Sequence, residues 1–132
     1  MMERLAIAAG VFVSVAVAYA LWKRPPGRRL QRLDLRDLGV YGPAVVQFST
    51  RYCAPCKAAR PHLIAAAERA GVAYAQVDVG ERPEVARRYG IRTVPTIVVA
   101  ERSRRVLGKW TALPADGEIA RTAARAAAAA AA

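Results

Sequence analysis

Residues 51–57 read "RYCAPCK" and contain the two cysteines of this 132-residue chain, Cys53 and Cys56. Two cysteines separated by two residues can be half of a metal site, a redox couple or a chance pair of buried thiols. A structural zinc site requires four ligands, and the chain adds only one histidine, His62, to the two cysteines. An intramolecular metal site is therefore not expected. The redox couple is the preferred interpretation, and the buried pair is the alternative.

The residues around the pair suit thiol chemistry. "PAVVQFST" (43–50) is apolar and β-branched, which predicts a buried strand, and "APCKAARPHLIAAAERAG" (54–71) predicts a helix that ends at Gly71. If this helix begins at the motif, Cys53 lies at its N-terminus, where free N–H groups and the helix dipole stabilise a thiolate. Cys56, one turn later, can reach Cys53 and resolve a mixed disulfide.

The chain from residue 30 onward alternates strand and helix patterns. Residues 30–42 alternate enough to contain a short strand, and the segment from Pro114 to the end is predicted to be helical throughout because alanine favours helix. Strands that alternate with helices predict an α/β fold, a central mixed sheet with helices on both faces. The other predicted elements are a strand "VAYAQVDV" (72–79), a helix "RPEVARRYG" (82–90), and strands "TIVVA" (96–100) and "RVLGKW" (105–110).

A charge-free segment precedes the domain. Residues 5–22, "LAIAAGVFVSVAVAYALW", would span roughly 27 Å as a helix, close to the ~30 Å hydrocarbon core of a bilayer. Tyr19 and Trp22 stand at the end where aromatic side chains favour lipid headgroups. A cleavable signal peptide is the alternative, because "AYA" (18–20) resembles a cleavage site. The dense positive charge that follows resists translocation, so we favour an uncleaved, single-pass anchor in the cell membrane.

The basic flank also predicts an orientation. Lys23, Arg24 and several arginines up to Arg36 follow the apolar segment, and positive flanks remain cytoplasmic. The folded domain is therefore expected in the cytoplasm, with the extracytoplasmic side as the alternative. The cluster over 23–36 is also expected to attract anionic lipid headgroups, although it can equally be a solvated linker.

These patterns divide the chain into four segments and limit its partners. Residues 1–24 form the predicted membrane anchor, with 5–22 in the bilayer; residues 25–32 are a basic linker, 33–127 the folded domain and 128–132 an alanine-rich tail. The formal net charge is +11, which invites comparison with nucleic-acid-binding proteins. No helix-turn-helix, zinc-finger or aromatic-interleaved pattern accompanies the charge, so nucleic acid is not an expected partner.

Several motifs in this order resemble the thioredoxin family. "YCAPCK" (52–57) is similar to the family's WCGPCK, and Pro61 matches the proline that kinks the family's active-site helix. "YGIRTVPT" (89–96) resembles the segment that carries the family's cis-proline, and "VLGKW" (106–110) falls where the family has its glycine-containing last strand. The resemblance covers residues 33–127 and implies a thioredoxin-like fold with a central mixed sheet.

The resemblance also implies roles for individual residues. Cys53 would be the exposed nucleophile and Cys56 the buried resolving thiol. The Cys53–Cys56 disulfide would itself be the redox-active group, so no separate cofactor is expected. The implied substrates are protein disulfides, an electron donor is required, and a monomer is expected. The loop around the pair would contain Tyr52, Ala54, Pro55 and Lys57, and the substrate groove Thr93, Val94 and Pro95, with a cis bond between the last two.

The sequence departs from the family pattern at four positions. Tyr52 replaces a tryptophan and is expected to cover the pair with its flat ring, and Ala54 replaces a glycine. Gln47 stands where the family has a buried carboxylate, and Gln76 where it has the lysine paired with that carboxylate. A neutral amide cannot act as a base near neutral pH, so we expect weaker reductase activity than in a dedicated thioredoxin. The alternative is that Gln47 is a satisfied polar group without a mechanistic role.

Two functions follow from these observations. The first is a membrane-tethered protein-disulfide reductase that uses the Cys53–Cys56 pair. The alternative is a thioredoxin-like binding or redox-sensing module with little turnover.

Overall fold

Four strands and four α-helices make up the part of the chain that the computed structural model describes, residues 1–23 and 30–131. The strand and helix order predicted from residue 43 onward is confirmed. Arg24, residues 25–29 of the predicted linker and Ala132 of the predicted tail lie outside the described residues. The elements are α1 (Met2–Lys23), a 3₁₀ helix (Leu35–Leu38), β1 (Ala44–Ser49), α2 (Ala54–Ala70), β2 (Ala73–Asp78), α3 (Pro83–Tyr89), β3 (Thr96–Ala100), β4 (Val106–Trp110) and α4 (Glu118–Ala131).

Residues 30–42 do not form the predicted strand: they contribute an isolated antiparallel bridge between Arg32 and Arg105 and then turn into the 3₁₀ helix. The Asp34 carboxylate accepts a hydrogen bond from the backbone N–H of Arg36 at 3.2 Å, which favours a turn over an extended chain. Gly39 then ends the turn with φ at 74°, a left-handed conformation that glycine adopts without steric cost.

Helix α4 is shorter than predicted. It begins at Glu118 rather than Pro114, because Gly117 directly before it has φ at 83° and so cannot belong to a right-handed helix. Helix α2 agrees with its prediction and ends at Gly71, where φ is 68°.

The sheet has the strand order β2-β1-β3-β4. Strand β1 is parallel to β2 and antiparallel to β3, and β3 is antiparallel to β4. Ser49 at the end of β1 therefore lies on the same edge of the sheet as Thr96 at the start of β3; we call this the cysteine edge, because β1 leads from it to Cys53. Ala44 and Ala100 pair at the opposite edge.

Two apolar clusters cover the two faces of the sheet. Helices α2 and α4 pack on the face that presents Val45, Ile97 and Val99, whereas the 3₁₀ helix and α3 pack on the face of Phe48 and Val98. Because β1 and β3 are buried on both faces, their sequences are continuous apolar runs rather than alternating ones. This arrangement confirms the predicted mixed sheet with helices on both faces.

Helix α1 has no buried side chain. By length and composition it is able to cross a membrane, a test that an N-terminal signal sequence also passes.

Candidate active site

The cysteine pair lies at the junction of β1 and α2. Cys53 is the N-cap residue of α2 and has an extended backbone. A disulfide joins it to Cys56, with the two Cα atoms 5.2 Å apart. The backbone N–H of Cys56 donates to the Sγ atom of Cys53 at 3.2 Å. After reduction the same N–H, together with the helix dipole, is placed to stabilise negative charge on that sulfur.

The two cysteines differ in exposure. Cys53 exposes 9% of its surface and Cys56 3%. The order matches the roles that the resemblance implies, although Cys53 is itself nearly covered in the disulfide form. A reacting partner must therefore approach over Cys53 and not over Cys56.

The loop side chains around the pair point into solvent. Tyr52 is 85% exposed, so its ring does not cover the pair as expected from the sequence. The Arg51 guanidinium instead lies 5.3 Å from the ring centroid, in the range of a cation–π contact. Ala54 and Lys57 are also exposed.

The segment before β3 runs beside the pair at the cysteine edge. The Val94–Pro95 peptide bond is cis; Pro95 is buried, Val94 half-buried and Thr93 exposed. The Thr93 carbonyl accepts a 2.7 Å hydrogen bond from the Thr96 hydroxyl, which closes the turn into β3.

An apolar groove lies between Pro55 on α2 and Pro95. It has a volume of about 440 Å³. Leu113, 41% exposed, gives the groove an accessible hydrophobic wall, and His62 is the residue of its lining with a polar ring. The groove is lined by Pro55, Ala58, Ala59, His62, Pro95, Thr111, Ala112 and Leu113.

Gln47 links the sheet to the cysteine helix. It is fully buried, and its Nε2 donates to the Cys56 carbonyl at 2.8 Å. The Tyr74 hydroxyl donates to its Oε1 at 2.6 Å. Burial raises the pKa of Tyr74 above its ordinary value of 10.0, against the opposing charge of Arg60, so the hydroxyl keeps its proton at neutral pH.

Gln76 stands in register with Gln47 on the neighbouring strand. It is exposed, and its Nε2 donates to the Ser49 hydroxyl at 2.8 Å. The two amides that replace the family's charged pair therefore use different hydrogen-bond partners. Tyr74, which belongs to none of the sequence motifs, is the partner of Gln47.

Tyr74 could have been found from the sequence, whereas the groove could not. In "VAYAQVDV" a period of two places Tyr74 and Gln76 on the same face of β2. Once β2 pairs with β1, Gln47 lies on that face of the sheet as well. Thr111, Ala112 and Leu113 follow β4 in a loop, and only the fold brings them to Pro95. Among residues 1–23 and 30–131, no three His, Cys, Asp or Glu side chains form a group that could hold a metal ion.

Known proteins resemble this chain in sequence and in fold. A family model described as Thioredoxin matches residues 38–123. Thioredoxin domain-containing protein 8 of Homo sapiens is 41% identical over 64 residues, which are 48% of this chain and 50% of that protein. Thioredoxin of Mycoplasma pneumoniae is 38% identical over 61 residues, 46% of this chain and 60% of that protein. The chain thus spans about half the length of these curated relatives.

A solved structure supports the same relationship. The X-ray structure of Fasciola hepatica thioredoxin is 25% identical, covers 69% of this chain and 86% of that chain, and superimposes with a TM-score of 0.56. Because the family model spans more than half of the chain, the protein belongs to the thioredoxin family.

Proposed function

We propose that this protein is a membrane-tethered thiol–disulfide oxidoreductase that reduces disulfides in other proteins. The observation that carries the proposal is the position of Cys53 at the N-cap of α2, with the Cys56 N–H 3.2 Å from its sulfur. This geometry favours a reactive thiolate with a resolving thiol one turn away. The relatives named thioredoxin support the same chemistry.

The reaction proceeds in two exchanges. The Cys53 thiolate attacks one sulfur of the substrate disulfide, forms a mixed disulfide and releases the other substrate sulfur as a thiolate that takes a proton from water. Cys56 loses its proton to water, and its thiolate attacks Cys53 Sγ and breaks the mixed disulfide. The second substrate sulfur leaves as a thiolate, which takes a proton from water. The substrate gains two electrons, the protein retains the Cys53–Cys56 disulfide, and an external dithiol donor must reduce it again.

The substrate is an extended protein segment. Its backbone pairs with the backbone at Thr93 and Val94, as in strand addition, while an apolar side chain of the segment enters the groove beside Pro55 and Pro95. The limited exposure of Cys53 restricts attack to disulfides that can reach this edge.

Gln47 favours a second candidate function. The amide cannot accept the proton of Cys56, so the second exchange depends on water and is slow. A binding module would hold one partner protein in the groove, with the cysteines as a redox sensor. Such a module tolerates slow release of a mixed disulfide by Cys56 better than a general reductase does.

Reduction of insulin disulfides by the full chain, with dithiothreitol as donor, tests the reductase. Turnover is expected for the wild type and is expected to be absent for Cys53→Ser. Lys57→Gln is the control variant: it changes a side chain beside the cysteine pair but retains both thiols, so it separates loss of the Cys53 thiol from a general disturbance of the loop. If the wild type is no faster than dithiothreitol alone, the reductase proposal fails.

Trapping with Cys56→Ser separates the two candidates. This variant stops after the first exchange, so mixed disulfides accumulate. A reductase should trap several proteins from a membrane extract through Cys53, whereas a dedicated module should trap a single protein or none.

The membrane anchor and the cytoplasmic location belong to the same proposal. They are supported by the exposed apolar helix α1 and by the positive charge that follows it in the sequence. A reporter enzyme that is active only outside the membrane, fused after Ala132, should be inactive. A strongly active fusion would reverse the orientation, and loss of α1 from the mature chain would identify it as a signal peptide.

A further inference from the structure

The chain enters the domain at the edge of the sheet opposite the cysteines. The Leu33 N–H donates to the Arg104 carbonyl, and the Val106 N–H donates to the Gln31 carbonyl, both at 2.9 Å. An isolated antiparallel bridge between Arg32 and Arg105 completes this short pairing. The entering segment is therefore fixed to the β3–β4 turn, which lies at the opposite edge because Ala100 pairs with Ala44 there.

Exposed arginines concentrate on this entry point. Glu101 and Asp34 are the carboxylates among them, and Asp34 pairs with Arg104 at 3.3 Å. Asp37 is engaged elsewhere, with Arg88 on α3. Five arginines minus two carboxylates leave a net charge of +3 on what we call the arginine edge. Its arginines, all exposed, are Arg32, Arg36, Arg102, Arg104 and Arg105.

An exposed tyrosine stands among these arginines. Tyr41 is 85% exposed and lines the same open cavity as Arg36, Arg102 and Arg104. Within the described part of the folded domain, the other exposed large apolar or aromatic side chains are Tyr52 and, less exposed at 41%, Leu113, both at the cysteine edge. Tyrosine with neighbouring arginine is the combination that membrane–water interfaces favour.

The covalent connection keeps the arginine edge close to the end of α1. Lys23 ends the helix, and residue 30 begins the described domain. The six intervening residues span at most ~25 Å even when fully extended. The short connection gives the arginine edge a high effective concentration at the bilayer surface, so docking does not require the entropy cost of bringing a free domain to the membrane. Each exposed arginine then adds its attraction to anionic headgroups.

We propose that the arginine edge docks on anionic phospholipid headgroups and so fixes the domain with its cysteine edge facing away from the membrane. The inference rests on the proposed anchor. Docking would hold Cys53 above the bilayer by about the length of β1, ~20 Å at ~3.3 Å per residue. Disulfides in soluble proteins, or in the extended loops of membrane proteins, would then be accessible, whereas those at the lipid surface would not.

Hydrogen exchange of the full chain in nanodiscs tests the docking. Nanodiscs of phosphatidylcholine are compared with nanodiscs that also contain phosphatidylglycerol. Exchange is followed in peptides covering 100–106 and, as an internal reference, in the first turns of α2 at the cysteine edge. Slower exchange of the turn peptide in the anionic discs alone, reversed by high salt, is the expected result. Equal exchange in both lipids would overturn the inference.

Two charge variants complete the test. Arg102→Gln/Arg105→Gln removes two charges from the arginine edge, and Arg87→Gln/Arg121→Gln removes two charges elsewhere. The first should lower the ratio of docked to undocked domain about 30-fold, roughly fivefold per charge, and the second should leave it unchanged. If both double variants lowered the docked-to-undocked ratio equally, the arginine edge would not be the docking surface. Urea unfolding midpoints equal to that of the wild type would show that both variants are folded.

The anchor is tested separately. Flotation with vesicles of both compositions after an alkaline carbonate wash should retain the chain. If the chain is retained but the turn peptide is not protected, docking is wrong and the anchor stands. If the chain is lost from both kinds of vesicle, the anchor and the docking both fail.

Discussion

The hydroxyl of Tyr74 donates a 2.6 Å hydrogen bond to the side-chain oxygen of Gln47. This bond fixes which way the Gln47 amide faces, so that its nitrogen points to the Cys56 carbonyl at 2.8 Å. Tyr74 thereby acts through Gln47 to position the start of α2, and it is a positioning residue rather than a catalytic one.

Tyr74→Phe should destabilise the protein by about 1–3 kcal/mol, because it leaves the oxygen of the fully buried Gln47 without a donor. Urea unfolding of the full chain in detergent measures the change. Tyr89→Phe is the matched control, since it removes a hydroxyl whose 2.9 Å bond to Asp37 is exposed, and it should cost less. Equal costs for the two variants would contradict a special role for the Tyr74 bond.

The stability difference between the wild type and Tyr74→Phe should depend on pH in the alkaline range. Burial raises the pKa of Tyr74 above 10.0, so the folded state holds this proton more tightly than the unfolded state does. The contribution of Tyr74 is therefore complete below the ordinary tyrosine pKa and is lost as the pH rises through the raised value. Urea midpoints of both proteins, measured from neutral pH upward, should differ by a constant amount that shrinks above about pH 10.

Gln47→Asp should speed disulfide reduction while lowering stability. The introduced carboxyl can accept the Cys56 proton, which the amide cannot. It also places an acceptor against the Cys56 carbonyl in a fully buried position, an arrangement that costs stability. Insulin turnover and urea unfolding measure the two effects, and Gln47→Asn is the control because it has the same size without a titratable group. If both variants turn over at the wild-type rate, this position has no part in catalysis.

Cys53 should react with iodoacetamide faster than Cys56 in the reduced protein at neutral pH. The backbone N–H of Cys56 faces the Cys53 sulfur, whereas Cys56 is nearly buried. Mass spectrometry of partially alkylated protein gives the two rates, and a short peptide with one free cysteine supplies the reference. A Cys53 rate equal to that of the peptide would show that the helix N-terminus does not activate the thiol.

Gly108→Ala should cost about 1–3 kcal/mol of stability through overpacking. A Cβ atom at this position would meet the ring of Trp110, and the ring is held in place by a 3.0 Å bond from Nε1 to Glu118. The same substitution in a Trp110→Leu background should cost less, because the obstructing ring is gone. Additive costs in a urea double-mutant cycle would show that the two residues do not interact as described.

The structure differs from two sequence predictions for local reasons. Alternating leucines predict a strand within residues 30–42, but only Arg32 forms a bridge before the Asp34 side chain accepts a hydrogen bond from the backbone and turns the chain. The expected cover of the disulfide by Tyr52 depends on a neighbour that holds the ring down. The Arg51 guanidinium contacts the ring instead. Whether an aromatic side chain packs or stays in solvent depends on its rotamer, and a rotamer leaves no periodic pattern in the sequence.

The sequence alone determined the order of the elements, the boundaries of α2 and the position of Cys53 at its N-cap, because these depend on residues close together in the chain. Only the tertiary structure decided which side chain satisfies Gln47, which loop completes the groove at Pro95 and which arginines gather opposite the cysteines. Those relationships join residues that are distant in sequence, and they form only when strand pairing fixes which ends of the elements share an edge.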